Sequence, residues 1–287
     1  MNKLLRIGIV MLIITFFISI ESANTEMGEL YEEWSLELRD PISYLEKEIE
    51  RYPDNYRLKF VLGTLYFEVG VAKIDKRTKK FIQANLLMLE KAEKEFKEVL
   101  KIKKDESLAY YYLGHVAMQK DANIGQAMEY YKKAIESDKH NYRAYIKLHT
   151  LYLAERQYKD ATLLLEKAIK NLKGDATIYH RLALTYLFVA DYDKVIENAE
   201  KALSLGKNTE TQLILASAYS LTEKYDKAKG ELEDILNADP KNRTALLGIS
   251  VVFSKTGKKE KAIEILKKAL EYYPDDSEIK NKLNEIK

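Results

Sequence analysis

The side chains in this sequence that could do chemistry are a scattered set. Four histidines, His115, His140, His149 and His180, are the residues best suited to hold a metal ion or move a proton near neutral pH. The acidic and basic residues run together, as in Glu90, Lys91, Glu93, Lys94, Glu95, Lys97 and Glu98. Two carboxylates of such a run could serve as general acid and base, but nothing sets one pair in the apolar surroundings that shift a pKa. Charges of both signs three and four residues apart are instead the mark of a solvated helix face. Glycine-rich phosphate loops, nucleophile elbows and the H-E-x-x-H spacing do not occur. There is no cysteine, which excludes disulfides, thiolate metal ligands, a cysteine nucleophile and a lipid-modified cysteine anchor. Twenty-one tyrosines among basic residues could stack on single-stranded nucleic acid. With 47 basic against 45 acidic residues, however, the chain has no strong electrostatic pull on phosphates. The expectation is a chain without catalytic residues, cofactor or nucleic-acid partner.

The elements that carry these residues are helical. Hydrophobic residues make up 46% of the 287 positions, enough for a sizeable core. Only four prolines and eleven glycines punctuate the chain, while Ala, Leu, Lys and Glu abound. At the N-terminus Lys3 and Arg6 precede an uncharged run from Ile7 to Ile20, followed by polar residues from Glu21 to Glu26. This is the layout of a signal peptide or signal anchor over residues 1–23. Glu21 sits where a cleavage site after Ala23 would want a small residue, so cleavage and retention both stay open. Either way the basic flank keeps its end inside, which places the body outside the cytoplasm, with membrane contact through this segment if it is uncleaved.

Self-comparison decides the architecture. Alanines recur 34 positions apart, at Ala127 and Ala161, Ala134, Ala168 and Ala202, and Ala228 and Ala262. Tyr145 and Tyr179, Leu148 and Leu182, and Pro240 and Pro274 keep the same phase. Six segments look like first helices of a repeated pair, beginning with Leu62-Gly63-x2-Tyr66 and Leu113-Gly114-x2-Ala117 and ending with Ile249-Ser250-x2-Phe253. Six partners follow them, from Ala92-x3-Phe96-x2-Val99 to Ala262-x3-Leu266-x2-Ala269. A small residue after the first-helix Leu lets two antiparallel helices approach closely. Pro240 and Pro274 close second helices, because proline cannot continue a helix. Pro53 looks like the same closing proline of a degenerate earlier unit, its second helix opening with Asp40 as N-cap and Pro41 at the first helical position.

In these residues the chain resembles the tetratricopeptide repeat (TPR) family. The resemblance covers about residues 40–286. It implies an all-α fold, a right-handed superhelical solenoid of antiparallel helix pairs with a C-terminal capping helix and no sheet. The order would be N-terminal helices over 24–53, six repeats over 54–276 with an insertion near 71–88, and a cap at 277–287. Three departures stand out. His149 replaces the small residue of its repeat, Val195 replaces an alanine, and the first repeat carries the insertion with Lys73, Lys76, Arg77, Lys79 and Lys80. That stretch reads as a solvated loop leading into a lengthened helix. His115, His149 and His180 fall in successive repeats, and with neighbouring helices about 10 Å apart, residues two repeats apart cannot share an ion whose ligand bonds are about 2 Å, so no metal site is expected.

The family lines a concave surface with its first helices and binds partner segments there. Carried over residue by residue, that groove would be Phe60, Thr64 and Phe67; Tyr111, His115 and Met118; and Ile146, Thr150 and Leu153. Further along it would be His180, Leu184 and Leu187, then Leu213, Ser217 and Ser220. Such a lining suits an amphipathic helix or hydrophobic strip of a protein or peptide, and it argues against the carboxylate-clamp subgroup. The expected function is a non-enzymatic adaptor in the cell envelope. The alternative is a structural subunit whose groove is filled by its own residues 29–38, with Trp34, Leu36 and Leu38 as the apolar contacts.

Overall fold

The computed structural model of the protein describes residues 39–71, 73–74, 81–172 and 175–286. The signal segment, the proposed helix at 29–38 and the basic cluster from Asp75 to Lys80 lie outside the described residues. The chain divides into two compact units, one ending at Leu148 and the other starting at His149.

In the first unit α1 (Arg39–Arg51) leads into the pair α2 (Tyr56–Gly70) and α3 (Leu86–Ile102), then the pair α4 (Ser107–Asp121) and α5 (Ile124–Ser137). Helix α6 (Tyr142–Ala154) spans the division. The second unit holds α7 (Tyr158–Leu172), the pairs α8 (Ala176–Phe188) and α9 (Tyr192–Leu205), α10 (Thr209–Leu221) and α11 (Tyr225–Ala238), and α12 (Arg243–Lys255) and α13 (Lys259–Tyr272). Helix α14 (Ser277–Ile286) turns Ile279, Leu283 and Ile286 inward and ends the stack. The architecture is the expected all-α arrangement of antiparallel pairs with a C-terminal cap.

Two details differ from expectation. The insertion is not all loop: Lys73–Ile74 (β1) and Phe81–Ile82 (β2) pair antiparallel, with Lys73 opposite Ile82 and Ile74 opposite Phe81. Helix α1 already includes Arg39, so Asp40 lies inside its first turn instead of capping it; Pro41 remains in that turn, where its missing N–H costs nothing.

Local signals start and stop the helices. Asn55, Asn123, Asp175, Asp191, Asn208 and Asn242 each accept a backbone N–H two or three residues on, satisfying a donor the helix leaves open. Helices α1, α11 and α13 stop two residues before Pro53, Pro240 and Pro274. Five first helices end alike: Ala122, Arg156, Ala190, Glu223 and Gly257 take positive φ of 48° to 76°. After the last four the next amide reaches back five residues, as from Lys224 to the Tyr219 carbonyl at 2.8 Å, and after Ala122 the Asn123 amide reaches back six to the Ala117 carbonyl at 3.1 Å, closing orphan carbonyls. Helix α2 ends differently, Val71 being extended where the insertion begins.

Inside the pairs the repeated alanines Ala92, Ala127, Ala161, Ala228 and Ala262 are fully buried. The small residue of the first helix answers the size of its opposite number. A Cβ on Gly63 would stand 2.9 Å from Phe96, and one on Gly114 would stand 2.6 Å from Tyr131. Where the second helix carries Leu165, Ala199, Leu232 or Leu266 at the same phase, the first carries His149, Ala183, Ala216 or Ser250. Successive pairs are tied by a recurring clip. Tyr66 donates to Glu46, Tyr186 to Glu166 at 3.2 Å and Tyr219 to Glu200 at 2.5 Å. Lys91, Lys194 and Lys227 of the following helix lie about 5 Å from the respective ring centroids, at 5.0, 4.9 and 5.2 Å.

Candidate protein-binding surface

The fifteen positions assigned to a groove have different surroundings in the two units. In the first, Phe60, Phe67, Tyr111, Tyr112, His115, Phe96 and Tyr131 form one connected set of rings. Tyr112 stacks on Phe96 at 5.1 Å and 13° and meets Phe60 and Phe67 edge-on at 5.8 and 5.5 Å. His115 lies 4.6 Å from Tyr111, 5.7 Å from Tyr131 and 5.8 Å from Phe67. Edge-to-face contacts of this kind add about 0.5–1.5 kcal/mol each beyond the area they bury. Phe67 and Tyr111 keep only 8% and 4% of their surface, so they pack inside the fold and support the face instead of presenting themselves on it. Burial is the main cause that lowers the His115 pKa to about 3, with Lys147 adding to it, so the ring is neutral. Phe60, Thr64 and Met118 remain partly accessible.

On α6, Ile146 and Leu153 are half-buried and Thr150 is exposed. His149, on the same helix, is fully buried. Its Nε2 lies 2.8 Å from the Thr185 hydroxyl, which gives its own proton to the Arg181 carbonyl at 2.7 Å. His149 Nε2 must therefore donate, and the departure from a small residue becomes a hydrogen bond from α6 to α8. Burial, with Arg181 nearby, lowers its pKa to about 4.

In the second unit the first helices adjoin one another, α8 beside α10 and α10 beside α12. Helical spacing puts His180, Leu184 and Phe188 on one stripe of α8, Leu213, Ser217 and Leu221 on one stripe of α10, and Leu247 and Val251 on α12. None of the eight is buried, and Phe188 and Leu221 each keep 55% of their surface. Ser217 returns its hydroxyl to the Leu213 carbonyl at 2.8 Å. Helices α8 and α10 carry one charged residue each, Arg181 and Glu210, whereas α9 and α11 carry five and six. Leu187 and Ser220 flank the strip half-buried. Phe188, Leu221, Leu247 and Val251 were not among the carried-over positions. The signal for the first two was in the sequence, one helical turn beyond Leu184 and Ser217.

Residues 118–184 and 222–286 match a family model described as Tetratricopeptide repeat, and 176–208 match a second of the same description. Together they span just over half of the chain. The chain belongs to the tetratricopeptide repeat family. It is similar to the TPR repeat-containing protein YpiA of Bacillus subtilis, 22% identical over 236 residues that cover 82% of this chain and 51% of that one. It is also similar to the human protein O-mannosyl-transferase TMTC3, 25% identical over 203 residues, covering 68% of this chain and 22% of the other. The chain thus spans about half the length of the first relative and about a fifth of the second. Among solved structures it resembles the C-terminal part of a TPR repeat-containing protein from Cytophaga hutchinsonii, with a TM-score of 0.67, 17% identity, and 86% and 95% of the two chains covered. YrrB, described as a TPR protein with an unusual peptide-binding site, matches with a TM-score of 0.57 and 20% identity over 65% of this chain and 96% of that one. These likenesses are of fold.

Proposed function

We propose that this TPR protein is a non-enzymatic adaptor that binds a hydrophobic or amphipathic segment of another protein on the first-helix strip of its second unit. One observation carries the reading: α8 and α10 present exposed Phe188 and Leu221 on nearly charge-free stripes, beside second helices that carry five and six charged residues. About half of each side chain is left in water, and covering it with a docked apolar face recovers about 1 kcal/mol apiece. The family and the peptide-binding site named for YrrB support the same class of activity. The layout of residues 1–23 supports export or anchoring in the cell envelope, with the repeats outside the cytoplasm. Among the described residues no helix is long and apolar enough to cross a membrane, and the run from Ile7 to Ile20 lies outside them.

A photo-crosslinking residue placed at Ser217 should yield a discrete adduct in cells, and one at Lys201 on α9 should not. Phe188→Ser with Leu221→Ser should cut the Ser217 adduct at least about tenfold, the equivalent of roughly 1.4 kcal/mol. Adducts from Lys201 alone would overturn the reading. A reporter fused after Lys287 that proved active in the cytoplasm would overturn the envelope location.

A further inference from the structure

At the other end of the α8 stripe from Phe188, a chain of hydrogen bonds fixes the state of a histidine. The Asn208 side-chain oxygen caps α10 by accepting the Thr211 amide at 2.9 Å, so that atom is the carbonyl oxygen. The Thr211 hydroxyl gives its single proton to the same oxygen at 3.1 Å. His180 Nδ1, 2.8 Å from that hydroxyl oxygen, is therefore the donor, and Nε2 carries a lone pair. This Nε2 faces the Glu210 carboxylate at 3.9 Å, whose side chain is 81% exposed. Burial is the larger influence on His180 and, with Arg181, outweighs the pull of Glu210, so its pKa falls below the usual histidine value. Near neutral pH the ring is uncharged and supplies no cation to Glu210. Among the described residues no lysine or arginine pairs with Glu210 either.

A lone pair and a carboxylate at this separation are two acceptors that one cation can bridge with ordinary N–H···O and N–H···N bonds of 2.7–3.2 Å. We propose that His180 and Glu210 form a subsite for a lysine or arginine side chain of the segment that docks on the Leu184–Phe188–Leu221 strip. This rests on the function proposed above and adds the chemistry of the partner. Eight residues separate His180 from Phe188, about 12 Å along the helix. The partner segment therefore carries a basic side chain about 12 Å from an apolar one.

The probe is a library of random 16-residue peptides, selected at neutral pH against the full-length chain in detergent. Wild type should enrich peptides with Lys or Arg at a constant distance from apolar residues. The winning peptide should bind Glu210→Gln about fivefold or more weakly, in the range of exposed and half-exposed ion pairs. Replacing its basic residue by norleucine should cost wild type the same factor and cost Glu210→Gln almost nothing further. Enrichment without basic residues, or an equal norleucine penalty in wild type and Glu210→Gln, would overturn the subsite. The apolar strip would still stand if Phe188→Ser with Leu221→Ser abolished binding. Winning peptides indifferent to those two changes, or no enrichment at all, would overturn the strip and the subsite together.

Discussion

The first helices of the two units follow one spacing rule and end with different surfaces. In the first unit α2 and α4 fill their face with rings, and Phe67 and Tyr111 disappear among Tyr112, His115 and Tyr131. In the second unit α8 and α10 carry His180, Leu187, Leu213 and Ser220 at those phases, all half-buried, and one residue further along Phe188 and Leu221 stay exposed. The phases at which Phe67 and Tyr111 are core in the first unit are thus only half-covered in the second. What decides is the bulk available nearby: seven aromatic rings can close a face, while leucines and serines leave it open.

The largest effect expected from this contrast is on stability. Tyr111→Ala should cost about 3–5 kcal/mol in urea unfolding of the first unit, as for a buried aromatic, whereas Phe188→Ala should cost under about 1 kcal/mol. Equal losses would erase the distinction between the faces. A smaller effect tests the matching of sizes within pairs. Gly114→Ala should destabilise by about 1–3 kcal/mol despite the better helix propensity of alanine, because the new Cβ meets Tyr131. Tyr131→Leu in the same chain should relieve the clash, since Ala216 opposite Leu232 is that combination in the second unit. A double-mutant cycle with no coupling would refute the matching. The smallest effect concerns what the units share. Ala122→Gly and Glu223→Gly should each stabilise by about 0.5–1 kcal/mol, by relieving left-handed backbone at φ 48° and 59°. Unequal gains would mean that the turns differ as well as the faces.

Much of the scaffold was legible in the residues. The 34-residue phase, the closing prolines and the small residues after the first-helix leucines specify helix pairs, because these signals are local or repeat at a fixed interval. Gly63 and Gly114 announced a close approach, and the structure supplies the reason in Phe96 and Tyr131. The left-handed turns were hidden, since only Gly257 among the five is glycine and the others accept the strain to close their helix ends. The accessible surface was legible in part: Leu184 and Leu213 are accessible, Phe67 and Tyr111 are covered, and Phe188 and Leu221 lay one turn beyond the positions chosen.

By itself, then, the sequence determined the period, the helix pairing and the residues at each phase, since a helical repeat is written in spacings of three, four and thirty-four. The tertiary structure alone decided which of those residues face water, and which nitrogen of His149 and His180 carries the proton. Both depend on side chains brought near from other helices, about thirty or more positions away in the chain. Burial and hydrogen-bond donation are properties of that neighbourhood, and no local pattern encodes it.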